Sequence, residues 1–165
     1  DGSIDTAHIA ADQITSAILP AGSILQVVSD IKSADEYTTS SSYTTAANLS
    51  VSITPSSTSS KIFIVVSGFI NLYGNGTTNN VTGNVQLNEG TTELCNQNFS
   101  LFSNLSGNYT DQENRNFTYN VLRSPSSTSN LVYTIAYKTG AGRFGIVGAG
   151  NSVVMTAMEI AGWVQ

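Results

Sequence analysis

The sequence predicts an all-β sandwich of the jelly-roll type, and three features of the chain support that prediction. From residue 23 onward, apolar and polar residues alternate with the period of two that is typical of half-buried strands. Clusters of Gly, Asn, Ser and Pro interrupt this alternation at short intervals, as turns do. The phrase Pro-Ser-Ser-Thr-Ser occurs twice, at 55–59 and 125–129, each time before an apolar strand. Helix signals are absent beyond the first segment of the chain, so two packed antiparallel sheets are expected.

The alternating pattern defines eight strands in order along the chain. The second is a clear example, because Leu49, Val51 and Ile53 alternate with polar residues. The eight predicted strands cover approximately residues 23–31, 45–54, 61–72, 80–88, 91–101, 115–123, 130–139 and 151–163. Eight short antiparallel strands arranged in two sheets make a jelly roll.

Two of these strands are apolar at consecutive positions, namely residues 62–66 and most of 153–160. A strand with two apolar faces is covered on both sides. The core covers one face, and we predict that a neighbouring subunit covers the other, since a soluble monomer rarely exposes an apolar patch of that size.

The first 21 residues differ from the rest and are predicted to form a neck. The stretch Ile4–Ile9 is echoed ten positions later by Ile14–Leu19, and its apolar residues are too sparse to form a core in one chain. Three copies wound around a common axis would bury these side chains. We therefore expect a homotrimer with an N-terminal neck at 1–21 and a jelly-roll head at 22–165.

The composition excludes several classes of partner. Charged residues make up 10% of the chain and the net charge is -5, with six Lys and Arg in total. Nucleic acids and anionic membranes require a basic surface, so neither is expected as a partner. No apolar run approaches the length of a membrane-spanning helix, which argues against membrane insertion.

The order of the strands predicts which loops lie together. If successive strands alternate in direction, the loops at about 32–44, 73–79, 102–114 and 140–150 share the end opposite the neck. The two Pro-Ser-Ser-Thr-Ser turns and the tight turn at 88–90 share the neck end. Loops on a rigid scaffold commonly carry recognition, so we expect binding at the distal end.

Catalytic chemistry is hard to assemble from these residues. The only histidine, His8, lies in the predicted neck, so no Ser-His-Asp triad is expected. The pairs Asp35–Glu36 and Asp111–Glu113 lie on predicted distal loops and are interpreted as solvated charges. Glu159 lies in an apolar strand, where we expect a structural carboxylate paired with Arg123 or Lys61.

The sequence lacks metal motifs, since it contains no His cluster and no Cys pair. We therefore expect no metal, no cofactor and no enzymatic activity.

Recognition is the remaining role for the distal loops, which are rich in Asn and carry several aromatic residues. Arg143 and Phe144 are the strongest candidates, because Gly142 and Gly145 flank the pair and would let the loop carry both side chains outward. The predicted ligand-binding residues are Tyr73, Asn75, Tyr109, Asp111, Arg143 and Phe144.

Several segments together resemble a known family. They are the neck around Ile4–Asp12, the strands at 22–28 and 49–55, the stretch Ser59–Ile62, Leu122–Pro125, and the closing stretch Met155–Ala161. This combination resembles the C-terminal domains of bacteriophage tail fibre and tail spike proteins, including those of marine and cyanobacterial phages. The resemblance implies a homotrimer at the tip of a fibre, similar in fold to the tumour-necrosis-factor and C1q heads.

From this resemblance we expect an extracellular, virion-borne receptor-binding tip that attaches without catalysis to a glycan or outer-membrane protein of the host cell. The sequence also allows three alternatives. The chain could be a purely structural trimerisation or decoration domain of the virion. It could be a secreted C1q- or tumour-necrosis-factor-like ligand, in which case its seven Asn-x-Ser/Thr motifs would carry glycans. It could also be a polysaccharide depolymerase, whose two catalytic carboxyls would come from the acidic pairs above.

Overall fold

A computed structural model describes residues 19–74, 80–102, 111–147 and 152–162 of the chain. The side chains of Phe102 and Asp111 are outside this description. The predictions for most of the neck, including His8, and for the binding residues Asn75 and Tyr109 lie outside the described residues. Within them, no helix is long and apolar enough to cross a membrane.

The described residues form ten strands and no helix. In chain order these are β1 (Ile24–Lys32), β2 (Glu36–Thr38), β3 (Thr44–Ile53), β4 (Lys61–Gly74), β5 (Asn80–Glu89), β6 (Thr92–Phe102), β7 (Asp111–Arg123), β8 (Leu131–Ala141), β9 (Arg143–Val147) and β10 (Val153–Ile160). All eight predicted strands are present, with ends shifted by a few residues. The short strands β2 and β9 occupy segments that were predicted to be loops.

The strands form two antiparallel sheets that pack face to face. One sheet runs β1-β10-β4-β7, with β9 pairing the distal half of β4 and β2 pairing β9. The other sheet runs β3-β8-β5-β6. With β1–β2 and β9–β10 each counted as one interrupted strand, this is the strand order of a jelly roll, as predicted.

Alternation places every second side chain of each strand in the core. On β4, Ile62, Ile64 and Val66 are fully buried, whereas Phe63 and Val65 point to the outer face and are half-buried. The large rings of Tyr133 and Tyr137 fill the space between the sheets. Burial of these rings raises the pKa of both phenols well above its ordinary value.

The end of the sandwich where the described chain begins is closed by Glu159, whose side chain is 0% exposed. Its carboxylate accepts hydrogen bonds from the Ser56 amide and hydroxyl at 2.7 Å each, from Ser60 Oγ at 2.6 Å and from Gln26 Nε2 at 2.6 Å. Burial alone would raise the pKa of Glu159, but these donors outweigh it and hold the pKa below 4.5.

The predicted partners of Glu159, Arg123 and Lys61, were therefore wrong. Two serine hydroxyls, the Ser56 backbone amide and the Gln26 side-chain amide reach the carboxylate instead, while Arg123 pairs with Glu89 at 3.3 Å. Hydrogen bonds from Ser56 to Glu159 thus join the first Pro-Ser-Ser-Thr-Ser turn to β10. Both copies of the phrase share one local turn, since Ser59 N donates to Ser57 Oγ and Ser129 N donates to Ser127 Oγ.

Candidate functional site

The strand register brings the expected distal segments to one end of the sandwich. Tyr73 pairs with Arg143, and Gly74 pairs with Asp111, so the end of β4 meets the starts of β7 and β9. At the opposite end, Gly22 N donates to the Ala161 carbonyl at 2.9 Å. The chain therefore enters beside the end of β10, and the distal segments lie away from that entry.

A cation held between two aromatic rings is the central feature of the distal end. The guanidinium carbon of Arg143 lies 4.3 Å from the ring centroid of Tyr37 and 4.3 Å from that of Tyr73. All three side chains project from the outer face of the sheet that contains β4. We call Tyr37, Tyr73 and Arg143 the distal stack. Cation–π contacts of this kind contribute about 0.5–2 kcal/mol each, so the guanidinium is held in one orientation.

Two buried polar atoms, one in the distal stack and one close to it, have no hydrogen-bond partner among the residues that the structure describes. One is the donor Nε of Arg143, and the other is the acceptor Oδ1 of Asn71. Asn71 lies on the same outer face, is fully buried, and uses its amide nitrogen to donate to Asn114 Oδ1 at 2.7 Å. A buried donor or acceptor without a hydrogen-bond partner destabilises the fold by about 1–3 kcal/mol. Such groups in a folded protein are commonly found at functional positions.

The position of Tyr37 depends on a glycine and an aspartate. Gly145 pairs with Tyr37 across β2 and β9, and a Cβ atom at Gly145 would overlap the tyrosine ring. The Tyr37 hydroxyl donates to Asp35 Oδ2 at 3.1 Å. Burial raises the pKa of Tyr37, as do the hydrogen bond and charge of Asp35, while the Arg143 charge lowers it by less.

The prediction that Phe144 points outward was wrong. Its side chain is 0% exposed and stacks on Phe99 at a ring-centroid distance of 6.0 Å. Phe144 also covers Gly83, where a Cβ atom would overlap its ring. The reason is the strand geometry, since β9 places neighbouring side chains on opposite faces of the sheet. Arg143 faces outward, and Phe144 therefore faces the core.

The glycines around this pair also act differently from the prediction. Gly142 has a φ of 75° and turns the chain from β8 into β9. A Cβ atom there would lie 2.9 Å from the Tyr73 carbonyl oxygen. The loop that was predicted to carry this pair outward is instead a tight corner that fixes Arg143 opposite Tyr73.

Two of the acidic residues weighed for catalysis are engaged by cations. Glu36 lies 2.8 Å from Lys32 Nζ and accepts a hydrogen bond from Ala47 N. Glu113 binds Arg115 through two hydrogen bonds of 2.8 Å. For Glu36 the lysine and its other hydrogen bonds outweigh burial, and for Glu113 the arginine is the main cause, so both pKa values lie below 4.5. A general acid of a glycosidase needs the opposite shift.

The structure thus brings two predicted site residues together, Tyr73 and Arg143, and adds Tyr37 and Asn71. Asp111 begins β7 opposite Gly74, next to the pair Tyr73–Arg143 in register. The aromatic character of Tyr37 was visible in the sequence, but its pairing with Gly145 was not. Asn71 gave no signal, because it looks like an ordinary polar residue within a strand.

The distal stack is suited to recognition. A guanidinium flanked by two rings presents a planar set of donors that matches a carboxylate or a pair of hydroxyls.

Comparisons with known proteins give structural similarity only. No protein-family model and no curated protein matches the sequence. Among solved structures, the chain is similar to Eiger TNF from S. frugiperda, with a TM-score of 0.39 and 8% identity over 84% of this chain and 96% of that one. It is also similar to a chain of infectious bursal disease virus, Gx strain, with a TM-score of 0.36 and 11% identity over 86% of this chain and 33% of that one. Similarity at this level carries nothing about what the chain binds.

Proposed function

We propose that this chain is the receptor-binding tip of a phage tail fibre, which works as a homotrimer and attaches to a host-cell surface without catalysis. The observation that carries the proposal is a continuous apolar row on the outer face of the sheet β1-β10-β4-β7. The row consists of Val27, Met158, Phe63 and Leu122, which stand in register on the four strands. Val27 is 56% exposed and Leu122 is 55% exposed.

The apolar row favours association with further copies of the same chain. Ile24 and Ile31 lengthen it along β1, and both are also more than half exposed. Exposed apolar side chains that are contiguous across four strands are typical of a buried interface. The row lies near the point where residues 19–23 join the sheet, so copies held together through it would bring their N-terminal segments together.

A trimer assembled in this way leaves the distal end free to meet a cell. Its three copies would carry three equivalent distal stacks on one rigid body. Several weak contacts made at once give a high combined affinity through effective concentration, which suits attachment to a repetitive surface. The Tyr37–Arg143–Tyr73 geometry supports recognition at this end, because its donors are fixed in position before binding.

Binding to cells tests this function. Fluorescently labelled protein is mixed with a panel of bacterial species, and the bound fraction is measured by flow cytometry. We expect binding to some species, and Arg143→Ala should reduce it to the background level. The matched control, Arg123→Ala, removes an arginine at the neck end and should bind like the wild type.

Two outcomes count against the proposal. Equal binding by Arg143→Ala and the wild type would show that the distal stack does not contribute to cell binding. A trimer that binds none of the species would favour the alternative of a purely structural fibre domain.

A further inference from the structure

The outer face of the second sheet carries a group of amide side chains with a chemistry different from the apolar row. Asn84, Gln86 and Asn88 project from β5, and Asn96 and Asn98 project from the neighbouring strand β6. Asn84 pairs with Asn98 and Gln86 pairs with Asn96, so the amides stand in rows across the two strands. We call these five residues the amide face.

The amides of this face leave much of their hydrogen-bonding capacity unused. Each amide offers two donors and an acceptor oxygen with two lone pairs. The contacts Asn84 Nδ2 to Asn96 Oδ1 and Asn98 Nδ2 to Asn84 Oδ1 measure 3.4 and 3.5 Å, which is the limit of a hydrogen bond. Oε1 of Gln86 is buried and has no partner among the described residues. Gln86 Nε2 donates to Asn88 Oδ1 at 2.6 Å, so the capacity that remains for an outside molecule is mainly that of Asn84, Asn96 and Asn98.

An aromatic ring stands at the border of the amide face. The Tyr43 hydroxyl accepts a hydrogen bond from Asn96 Nδ2 at 2.5 Å, and Tyr43 is 36% exposed. Lys138, on the neighbouring strand β8, pairs with Asn84 on β5. The Nζ atom of Lys138 lies 4.4 Å from the centroid of the Tyr43 ring. One face of the ring is thus in contact with the lysine, and the ring is fixed beside the amides.

These features select the chemistry of the ligand. Amides that both donate and accept match the hydroxyl groups of a sugar, and an aromatic ring packs against the apolar face of a pyranose. Lys138 pairs with Asn84, and Glu93 pairs with Asn88 at one end of the face, so the two charges balance and a neutral ligand is favoured. Neighbouring strands are about 4.8 Å apart, which is close to the length of one sugar unit.

We propose that the amide face, together with Tyr43 and Lys138, is a second binding site that takes a neutral polysaccharide along the side of the molecule. The site is separate from the distal stack, because it belongs to the other sheet and shares no residue with it. It also faces away from the apolar row, so self-association through that row would leave it open. The chain would then hold a surface glycan laterally while its distal end makes a different contact.

The test is affinity electrophoresis of the full chain in native gels that contain dextran, yeast mannan or locust-bean galactomannan. We expect at least one of these neutral polysaccharides to retard the wild type. The double variant Asn84→Ala, Asn98→Ala should weaken that retardation by about tenfold or more, since it removes the two central amides. Tyr43 lies in a loop, so Tyr43→Ala should weaken the retardation without altering any strand.

Matched variants separate this site from the distal stack. Asn120→Ala removes an exposed amide from the outer face of the other sheet and should be retarded like the wild type, as should Arg143→Ala. Melting temperatures within a few degrees of the wild type would establish that each variant is folded.

The proposal is overturned if none of the three polysaccharides retards the wild type. It is also overturned if Arg143→Ala abolishes retardation while the double variant leaves it intact. That second result would assign the glycan to the distal stack and would leave the proposed attachment function standing.

Discussion

Replacing Glu159 by glutamine tests how the end of the sandwich opposite the distal stack is held together. In the wild type, three donors from Ser56 and Ser60 meet one carboxylate oxygen, and Gln26 Nε2 meets the other at 2.6 Å. The Glu159→Gln side chain has the same shape, but it carries no charge. It also places an amide group where one of the oxygens accepts.

The size of the effect follows from these four bonds. Hydrogen bonds to a charged group contribute about 1.5–3 kcal/mol each, and those to a neutral group about 0.5–1.5 kcal/mol. Because Gln26 can turn its own amide to restore one contact, part of the difference is recovered. We expect the free energy of unfolding to fall by about 2–4 kcal/mol.

The assay is urea unfolding followed by circular dichroism at one fixed protein concentration. Glu113→Gln is the matched control, since Glu113 is 39% exposed and pairs with Arg115 at the surface. That substitution should change the free energy of unfolding by about 1 kcal/mol or less. If Glu159→Gln costs no more than Glu113→Gln, the reasoning about the buried carboxylate is refuted.

The pH dependence gives a second reading of the same site. The folded pKa of Glu159 lies below 4.5, so its contribution is complete above that pH and is lost as the pH falls through the folded value. The difference in stability between the wild type and Glu159→Gln should therefore shrink on acidification. A difference that stays constant down to about pH 2, well below the ordinary carboxyl range, would contradict the lowered pKa.

Further substitutions test the distal end. Phe144→Ala should lower the free energy of unfolding by about 3–5 kcal/mol, because it empties a fully buried site beside Phe99, and urea unfolding measures this; a loss below about 1 kcal/mol would mean that the ring is not in the core. Gly145→Ala should displace the Tyr37 ring and weaken the near-ultraviolet circular dichroism of the tyrosines, and an unchanged spectrum would speak against their close packing. Arg143→Lys keeps the charge but loses the planar group, so cell binding should fall toward the level of Arg143→Ala; full binding would show that charge alone suffices.

The sequence was enough to predict the eight long strands, because alternation and turn residues are local signals. The short strands β2 and β9 were missed for the same reason. Around Arg143, glycines that usually indicate a flexible loop are present because Gly142 turns a corner and Gly145 makes room for the Tyr37 ring. Whether a glycine belongs to a flexible loop or to a tightly packed corner depends on the neighbouring strands, which the local sequence does not show.

The candidate site was predicted less completely than the fold. Tyr73 and Arg143 were identified from their residue types. The direction of Phe144 depends on the register of β9, because a shift of one residue moves every side chain of a strand to the opposite face of the sheet. The partners of Glu159 were also beyond reach, since Ser56 lies about a hundred positions away in the sequence. In the sequence, a serine whose hydroxyl donates to a buried carboxylate cannot be distinguished from a serine at the surface.

The central claim is that the apolar row is an interface between copies of this chain. Sedimentation equilibrium of the wild type at micromolar concentration tests it most directly, beside Leu122→Asp and the control Val132→Asp, an exposed valine on the other sheet. We predict a particle of three times the chain mass of 17.3 kDa for the wild type and the control, and a smaller particle for Leu122→Asp. A wild type that sediments as a single chain would contradict the account.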